Sequence, residues 1–255
     1  MSSTSEARRD EIIALVQSQG KVKVSDLSEK YNVSEVSIRK DLEILEAEGH
    51  LSRIHGGAVG MNKLYLSMDL TERFKTNAPA KKAVAELAAK FVNDNDTIMM
   101  NAGTTMAYVL RALRGKKNIN SVTKSGQNAT EAALYPTFNV ILLGGELDSK
   151  YQFVHGRDAI HQLENYHATK CIISVDGISA DSGLTLYYSN EAELARKMMD
   201  SSDMTIVVAD SSKLGKNVFS RITGAEKADV LITNRSNNTD ELLKLRELGI
   251  EIKEA

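Results

Sequence analysis

The sequence of 255 residues lacks most features of secreted and membrane-spanning proteins. Its one cysteine, Cys171, excludes an internal disulfide and a cysteine-rich metal site. The longest stretches without a charged residue, 97–110 and 132–145, are 14 residues long, whereas a transmembrane helix needs about 20 apolar residues. The N-terminus shows no apolar stretch of a secretory signal. We therefore expect a soluble, cytoplasmic protein that does not associate with a membrane.

The sequence also lacks an excess of charge of one sign. It has 32 basic and 34 acidic residues, and the first 60 residues carry eight basic against ten acidic side chains. Any nucleic-acid site must then depend on where charges are placed rather than on their sum. The 42% of hydrophobic residues is enough for a sizeable core, and the length allows two modest domains.

The first 60 residues predict three short amphipathic helices and a hairpin. Apolar residues recur at helical spacing in three groups: Ile12, Leu15 and Val16; Val24, Leu27 and Tyr31; Ile38, Leu42 and Leu45. Gly20, Asn32 and Gly49 are typical helix ends, and Ser34 is a typical N-cap. Residues 50–58 predict a strand that enters a Gly-Gly turn. This pattern is typical of a winged helix-turn-helix.

In such a domain the first turn of the third helix meets base edges in the major groove. With Ile38 and Leu42 facing inward, the polar side chains of this helix face outward. Cations there can contact guanine or phosphate, and the hairpin can contact the backbone. The predicted DNA-binding residues are Ser34, Glu35, Ser37, Arg39, Lys40, Arg53 and His55. The alternative is a three-helix packing module whose charges are merely solvated.

The segments VSEVSIRKDLEILE (33–46) and RIHGGA (53–58) resemble the N-terminal signature of DeoR-family bacterial transcriptional regulators. Two positions depart from the usual pattern, with Ser37 in place of Thr and Lys40 in place of Arg. Both substitutions keep a hydrogen-bonding or charged group, although Lys40 loses the bidentate fork of Arg. The resemblance implies a sequence-specific DNA-binding protein. Because of these two departures, it does not indicate which operator sequence the protein recognises.

Residues 80–255 alternate short apolar runs with helical segments, after a predicted linker at 61–79 that ends in Pro79. The runs are residues 97–100, 139–143, 171–175, 204–209 and 230–233. Continuous apolar strands alternating with helices predict an α/β domain with a parallel sheet covered on both faces. The predicted domains are therefore 1–60 and 80–255.

Three loops after predicted strands suit an anionic ligand. NAGTT (101–105) opens a helix whose first amides can hold phosphate. LLGGEL (142–147) lets the backbone approach a ligand or only turn, and ADSSK (209–213) places two hydroxyls and a cation together. Ligands of open parallel sheets gather at the carboxyl ends of the strands. Three such loops favour a ligand site there.

The segments DTIMMNAGTT, VILLGGEL, VDGISADSGLT, NEAELARKMM and VVADSSKLGK resemble the effector-sensing domain of the DeoR family. That domain is similar to sugar-phosphate isomerases. The resemblance implies that Gly103, Thr104, Thr105 and Lys213 bind an effector's phosphate and that Asp176 and Glu191 lie near sugar hydroxyls. The full set of predicted effector-binding residues is Asn101, Gly103, Thr104, Thr105, Lys124, Gly144, Gly145, Asp176, Glu191 and Lys213.

Two of these residues depart from the family pattern. Asn101 begins an Asn-Ala pair where Asp-Ser is common, and Lys124 stands where Asn is common. Lys124 either adds a cation for a more acidic effector or points to solvent.

Two functions remain. The first is a DNA-binding regulator, expected to repress a carbohydrate-utilisation operon and to leave DNA when a phosphorylated sugar binds. The second is a sugar-phosphate isomerase or deaminase with an appended helical module. An isomerase needs a general base, often in a DGAD-type loop. Here the loop is VDGIS, with Ser179 at the second acid position, which favours binding without turnover.

No cofactor or metal is expected, because the five histidines are scattered without an HxxxH pair and the chain has a single cysteine. Cys171, within an apolar run, is predicted to be a core residue. A homo-oligomer, dimer or tetramer, is expected, because helix-turn-helix proteins commonly span two half-sites.

Overall fold

A computed structural model describes residues 5–19, 21–47, 50–60 and 68–255. Contacts divide the chain into two compact units between Met68 and Asp69. Gly20, Gly49 and residues 61–67 of the predicted linker lie outside the described residues.

The first unit is the predicted winged helix-turn-helix. Its elements are α1 (Ser5–Gln19), β1 (Lys21–Lys23), α2 (Val24–Tyr31), α3 (Glu35–Ala47), β2 (Leu51–Ile54) and β3 (Gly57–Gly60). The strands form an antiparallel sheet in the order β1-β3-β2, and the β2–β3 hairpin is the wing. The predicted apolar stripes meet in one core, in which Ile12, Ile38 and Leu42 are almost fully buried.

The turn between α2 and α3 depends on two polar residues. Asn32 ends α2 with φ +51°, a left-handed conformation that Asn tolerates better than most residues. The Ser34 hydroxyl accepts a 3.2 Å hydrogen bond from the Ser37 amide, so Ser34 is the N-cap of α3 as predicted. These two contacts fix where α3 begins.

The second unit is an α/β domain built on a seven-stranded parallel sheet. Its strands are β4 (Thr97–Met100), β5 (Ile119–Thr123), β6 (Phe138–Leu142), β9 (Ala168–Ser174), β12 (Ser202–Val208), β14 (Val230–Thr233) and β15 (Glu251–Glu254). They lie in the order β15-β14-β12-β9-β4-β5-β6. Its helices are α4 (Leu70–Lys75), α5 (Ala78–Ala88), α6 (Thr104–Ala112), α7 (Gly126–Ala132), α8 (Arg157–Leu163), α9 (Ser189–Asp200) and α10 (Thr239–Glu247).

Two small antiparallel sheets complete this unit. They are the hairpin of β7 (Glu146–Asp148) with β8 (Phe153–His155), and a sheet of β10 (Gly177–Ser179), β11 (Gly183–Leu186) and β13 (Ser220–Thr223). Three short 3-10 turns lie at Ala89–Phe91, Ser211–Lys213 and Ala225–Lys227.

Both faces of the large sheet are covered, as the apolar strands predict. Met99 packs in one core with Leu194 of α9, whereas its neighbour Ile98 packs in a second core with Leu110 of α6. All five predicted apolar runs form strands, but β5 and β15 were not predicted. β5 has the sequence INSVT, and its buried Ser121 hydroxyl donates to the Asn139 carbonyl. None of the described helices is long and apolar enough to cross a bilayer.

Helix α4 lies inside the segment predicted as linker. The Asp69 carboxylate accepts from the Glu72 amide at 2.8 Å, and the Glu72 carboxylate accepts from the Asp69 amide at 2.9 Å. This reciprocal pair is a capping box, which stabilises the start of a helix. Arg73 of α4 is buried. The second compact unit therefore begins at Asp69, earlier than the predicted residue 80.

Candidate functional site

The outward face of α3 carries the predicted recognition side chains. Glu35 and Arg39, one helical turn apart, form an ion pair with an oxygen–nitrogen distance of 2.6 Å and remain about half exposed. Lys40 is exposed beside them. Because a guanidinium has five N–H donors, the pair orients Arg39 and leaves donors for another ligand.

Val36, in the first turn of α3, was not among the predicted DNA-binding residues. It is 72% exposed, and its neighbour in the chain, Glu35, is exposed as well. An exposed aliphatic group at this position can contact a thymine methyl group in the major groove. The sequence signal was that Val36 lies outside the apolar stripe of Ile38 and Leu42, so an apolar side chain was expected on the exposed face of α3.

The wing is attached to the end of α3 by one side chain. Both the Arg53 amide and its Nε donate to the Glu46 carboxylate, each at 2.7 Å. His55, at the tip of the hairpin, is exposed. The two-point contact positions Arg53 on an accessible surface, as a wing contact to phosphate requires.

In the second unit, β5, β4, β9 and β12 are consecutive in the sheet, so their carboxyl ends lie along one edge. The loops that leave these ends contain most of the predicted effector-binding residues. Such an edge is where α/β sheets hold their ligands.

The loop after β4 is shaped for close approach of the backbone. Gly103 has φ +127°, and a methyl group there would lie 2.7 Å from the Ser174 hydroxyl. The next residues, Thr104 and Thr105, are buried at the start of α6. Among the described residues the Thr105 hydroxyl has no hydrogen-bond partner. The first amides of α6 and this hydroxyl are groups that bind phosphate.

Lys81 of α5 faces this helix start and was not predicted. It is 2% exposed, and its Nζ donates to the Arg73 carbonyl at 2.5 Å and to the Thr104 hydroxyl at 3.0 Å. The pKa of Lys81 is lowered to about 8, chiefly by burial; Asp210 and Asp176 act to raise it, whereas Lys213 and Arg73 act to lower it.

The sequence contains a signal that Lys81 is buried at a polar site. A lysine three residues before Val84 and seven before Ala88 lies on the apolar stripe of the helix. A charged residue on a core-facing stripe points to a buried polar site.

The loop after β12 brings a second cation to the same edge. Lys213 is buried, next to the buried carboxylate of Asp210. The Asp210 carboxylate accepts from the Asn77 side-chain amide at 3.0 Å and from the Ser212 backbone amide at 3.1 Å. Burial acts to raise the pKa of Asp210, but Lys213, Ser212 and Lys81 together lower it. Asp210 therefore stays ionised.

Lys124 does not point to solvent, so that alternative was wrong. It is fully buried, and its Nζ lies 3.1 Å from Glu191 Oε1 and 5.1 Å from the centre of the Phe153 ring. Burial lowers the pKa of Lys124 and raises that of Glu191, and each charge opposes the shift of the other. Since burying an unpaired charge is costly, each of the two side chains stabilises the charged form of the other.

Asp176 lies within electrostatic range of Lys81, Lys124 and Glu191. Its Oδ2 accepts from the Tyr187 amide at 3.1 Å. Its Oδ1 has no hydrogen-bond partner among the described residues, so this oxygen can accept from a ligand hydroxyl.

Three predicted effector-binding residues have other partners in the structure. The Asn101 side chain bonds the Ser174 amide and carbonyl, each at 2.9 Å, which joins β4 to β9. The Gly144 amide donates to Gln162 at 2.7 Å, and a methyl group on Gly145 would lie 2.5 Å from the His155 carbonyl. These contacts support turning and close packing.

Ser179, at the second acid position of the isomerase-type loop, accepts from the Ser182 amide at 3.0 Å and so caps the β10–β11 turn. Cys171 is fully buried in β9 as predicted. In the described ranges, no three His, Cys, Asp or Glu side chains converge in a metal-binding arrangement.

Comparison with known proteins matches each unit to one family. Residues 8–63 match the DeoR-like helix-turn-helix domain, and residues 76–235 match the DeoR C terminal sensor domain. The HTH-type transcriptional regulator YulB of Bacillus subtilis (strain 168) is 34% identical, covering 96% of this chain and 95% of its own. The lactose phosphotransferase system repressor of Streptococcus mutans is 31% identical, covering 94% and 96%.

Among solved structures, the full-length sorbitol operon regulator SorC from Klebsiella pneumoniae is similar with a TM-score of 0.43 at 12% identity, covering 95% of this chain and 99% of that one. Ribose 5 phosphate isomerase A from Neisseria gonorrhoeae has a TM-score of 0.40 at 20% identity, covering 52% of each chain. The two domain matches and the full-length relatives decide between the regulator and enzyme hypotheses: the chain is not an enzyme but belongs to the DeoR family of transcriptional regulators.

Proposed function

We propose that this regulator represses a carbohydrate-utilisation operon and that a phosphorylated sugar releases it from its operator DNA. One observation carries the proposal. Lys81 is a buried cation with no carboxylate within ion-pair distance among the described residues, at the start of α6. Because a buried charge without a directly paired counter-charge is costly, such a position suits an anionic ligand.

In the proposed complex, the phosphate lies between the start of α6 and the loop after β12. The first amides of α6 and the hydroxyls of Thr104 and Thr105 donate to its oxygens, and Gly103 lets it approach. Lys81 and Lys213 supply the positive charge. Two cations match a phosphate monoester, which carries about −1.5 to −2 at pH 7.

The sugar lies toward the carboxyl ends of β9 and β5. Asp176 Oδ1 accepts from a sugar hydroxyl, and Glu191 with its partner Lys124 forms the adjoining polar wall. Asn101, Gly144 and Gly145 are left out of the proposed contacts, because their own contacts are with Ser174, Gln162 and His155.

On DNA, the first turn of α3 enters the major groove and the wing contacts the backbone. The proposed contacts come from Ser34, Glu35, Val36, Ser37, Arg39, Lys40, Arg53 and His55. We infer a homo-oligomer, dimer or tetramer, because two copies of α3 are needed to read two half-sites. The protein acts in the cytoplasm, where operator DNA is accessible.

The effector proposal is tested by thermal unfolding against a panel of sugar phosphates and their unphosphorylated parents. A ligand that binds the folded state raises the unfolding temperature, so we expect a shift with a phosphorylated sugar and none with its parent. Lys213→Ala should abolish that shift, whereas Lys244→Ala, which removes an exposed cation from α10, should retain it. A parent sugar that stabilises as strongly as its phosphate would contradict the proposed phosphate site.

A further inference from the structure

The segment 69–77, which we call the entry segment, is the first part of the second unit to follow the linker in the chain. It contains α4 and ends at Asn77, immediately before α5. Its contacts lead to both loops of the proposed phosphate site, although the sequence patterns assigned it no role.

Two backbone carbonyls of α4 are tied to neighbouring helices. The Arg73 carbonyl accepts from Lys81 Nζ at 2.5 Å, and the Phe74 carbonyl accepts from the Tyr108 hydroxyl of α6 at 3.3 Å. Carbonyls in the last turn of a helix have no partner within the helix, so an outside donor must satisfy them. Lys81 supplies the nearer donor for Arg73, whose carbonyl also accepts from the Thr104 hydroxyl at the longer distance of 3.5 Å.

The end of the entry segment is tied to the other loop. The Asn77 side-chain amide donates to Asp210 at 3.0 Å and to the Ser212 hydroxyl at 3.3 Å. The entry segment therefore contacts the start of α6 through Lys81 and the loop after β12 through Asn77.

Lys81 can hold the entry segment or bind phosphate. In the structure its Nζ donates to a neutral carbonyl and a neutral hydroxyl. A hydrogen bond from an ammonium to phosphate is charge-assisted and stronger than one to a neutral oxygen. A phosphate at the start of α6 would thus compete with the Arg73 carbonyl for the same nitrogen.

We propose that effector phosphate takes Lys81 Nζ from the Arg73 carbonyl and so releases the entry segment. This inference rests on the proposed phosphate site. It adds that phosphate binding frees the segment which follows the linker from the DNA-binding unit. A ligand shifts a conformational equilibrium only by its differential affinity for the two states. Here the difference is the partner of Lys81, which holds the entry segment in the free state and the ligand in the bound state.

Amide hydrogen exchange of the full-length protein tests this directly. Inorganic phosphate is titrated as the probe against sodium chloride of equal ionic strength, and exchange is followed in peptides covering 69–77 and 103–107. We expect slower exchange in 103–107, where phosphate binds the amides, and roughly tenfold faster exchange in 69–77, where one tether is lost.

The two peptides separate the possible failures. Protection of 103–107 without faster exchange in 69–77 overturns the release proposal and leaves the phosphate site standing. No change in either peptide overturns both the phosphate site and the release.

Variants add a second measurement on the same chain. Lys81→Met should give fast exchange in 69–77 without any phosphate, whereas Lys82→Met, at the exposed neighbouring position of α5, should match wild type. Exchange in peptides of β9 and β12 reports whether each variant is folded. Slow exchange in 69–77 of folded Lys81→Met would show that this contact does not hold the entry segment, and would overturn the proposal.

Discussion

The cations proposed to contact ligands are held in opposite ways in the two units. On the DNA-binding unit the proposed recognition cations are exposed and paired locally, Arg39 with Glu35 and Arg53 with Glu46. In the sensor unit, Lys81 and Lys124 are buried. Exposed pairs change partners at little cost in free energy, as recognition of a large polyanion requires. A buried cation is maintained only by a specific partner or ligand.

The largest expected effect comes from breaking the buried pair of the sensor unit. Lys124→Met should lower the free energy of unfolding by about 3–5 kcal/mol, because it leaves the Glu191 carboxylate buried without its cation. Glu35→Gln, which breaks an exposed pair, should cost less than about 1 kcal/mol. Urea unfolding followed by circular dichroism measures both.

The double variant Lys124→Met/Glu191→Leu is the matched control, since removing both charges can be close to neutral. A single Lys124→Met variant as stable as wild type would show that Glu191 is not held as an anion.

The next effect concerns DNA recognition. Arg39→Ala should weaken specific binding by about 1–3 kcal/mol per half-site through loss of a base contact, without changing the fold. Mobility shifts on the DNA upstream of the gene, at fixed salt, measure this, with Lys244→Ala as the control for loss of one charge. Equal affinity of wild type and Arg39→Ala would mean that another face of α3 meets DNA.

A smaller effect follows from the titration of the sensor site. Burial lowers the pKa of Lys81 to about 8, so its ammonium predominates below pH 8 and is lost above it. The second pKa of a phosphate monoester is about 6, so the ligand stays dianionic over this range. Affinity for a sugar phosphate should therefore fall as pH rises above 8, by up to about tenfold per pH unit.

Two variants assign this titration, because the pKa of Lys216 is also lowered to about 8 by burial. Lys81→Arg keeps its charge and should bind with little pH dependence up to pH 9.5 or so, whereas Lys216→Arg should titrate like wild type. If Lys216→Arg instead removed the pH dependence and Lys81→Arg kept it, the phosphate would lie against Lys216. Calorimetric titration at a series of pH values measures these affinities.

The smallest expected effect is on the wing. Glu46→Gln removes the charge that holds Arg53 against α3. Since both side chains are substantially exposed, we expect DNA affinity to change by less than about 1 kcal/mol. A loss as large as that of Arg39→Ala would show that a fixed position of Arg53, rather than its charge alone, determines wing binding.

The architecture was predictable where burial determines residue type. The five apolar runs became strands, and the stripes of the first 60 residues became the core of the DNA-binding unit. β5 was missed because buried hydroxyls such as Ser121 can be satisfied by backbone carbonyls, which makes an interior strand look polar. The start at Asp69 was missed because a six-residue helix has no repeating apolar face, although its capping box was visible.

The loops that form the candidate site were predictable from the sequence, but the contacts between their side chains and other elements were not. Motifs placed Gly103, Thr104 and Lys213 at one edge of the sheet. Lys81 lies on a different element, and only the tertiary packing brings it to Thr104. Lys124 was uncertain because the partner that allows its burial, Glu191, is distant in sequence. Partners that meet through the fold leave no local pattern.

The placement of Cys171 has a practical consequence for measuring motion in solution. It is the one cysteine of the chain, it is fully buried in the central strand β9, and burial raises the pKa of its thiol. Thiol-directed reagents attack the thiolate, so this side chain should be inert in the folded protein. A cysteine introduced at the exposed position of Val36 or Lys82 could therefore carry a fluorophore or spin label with the native cysteine left in place.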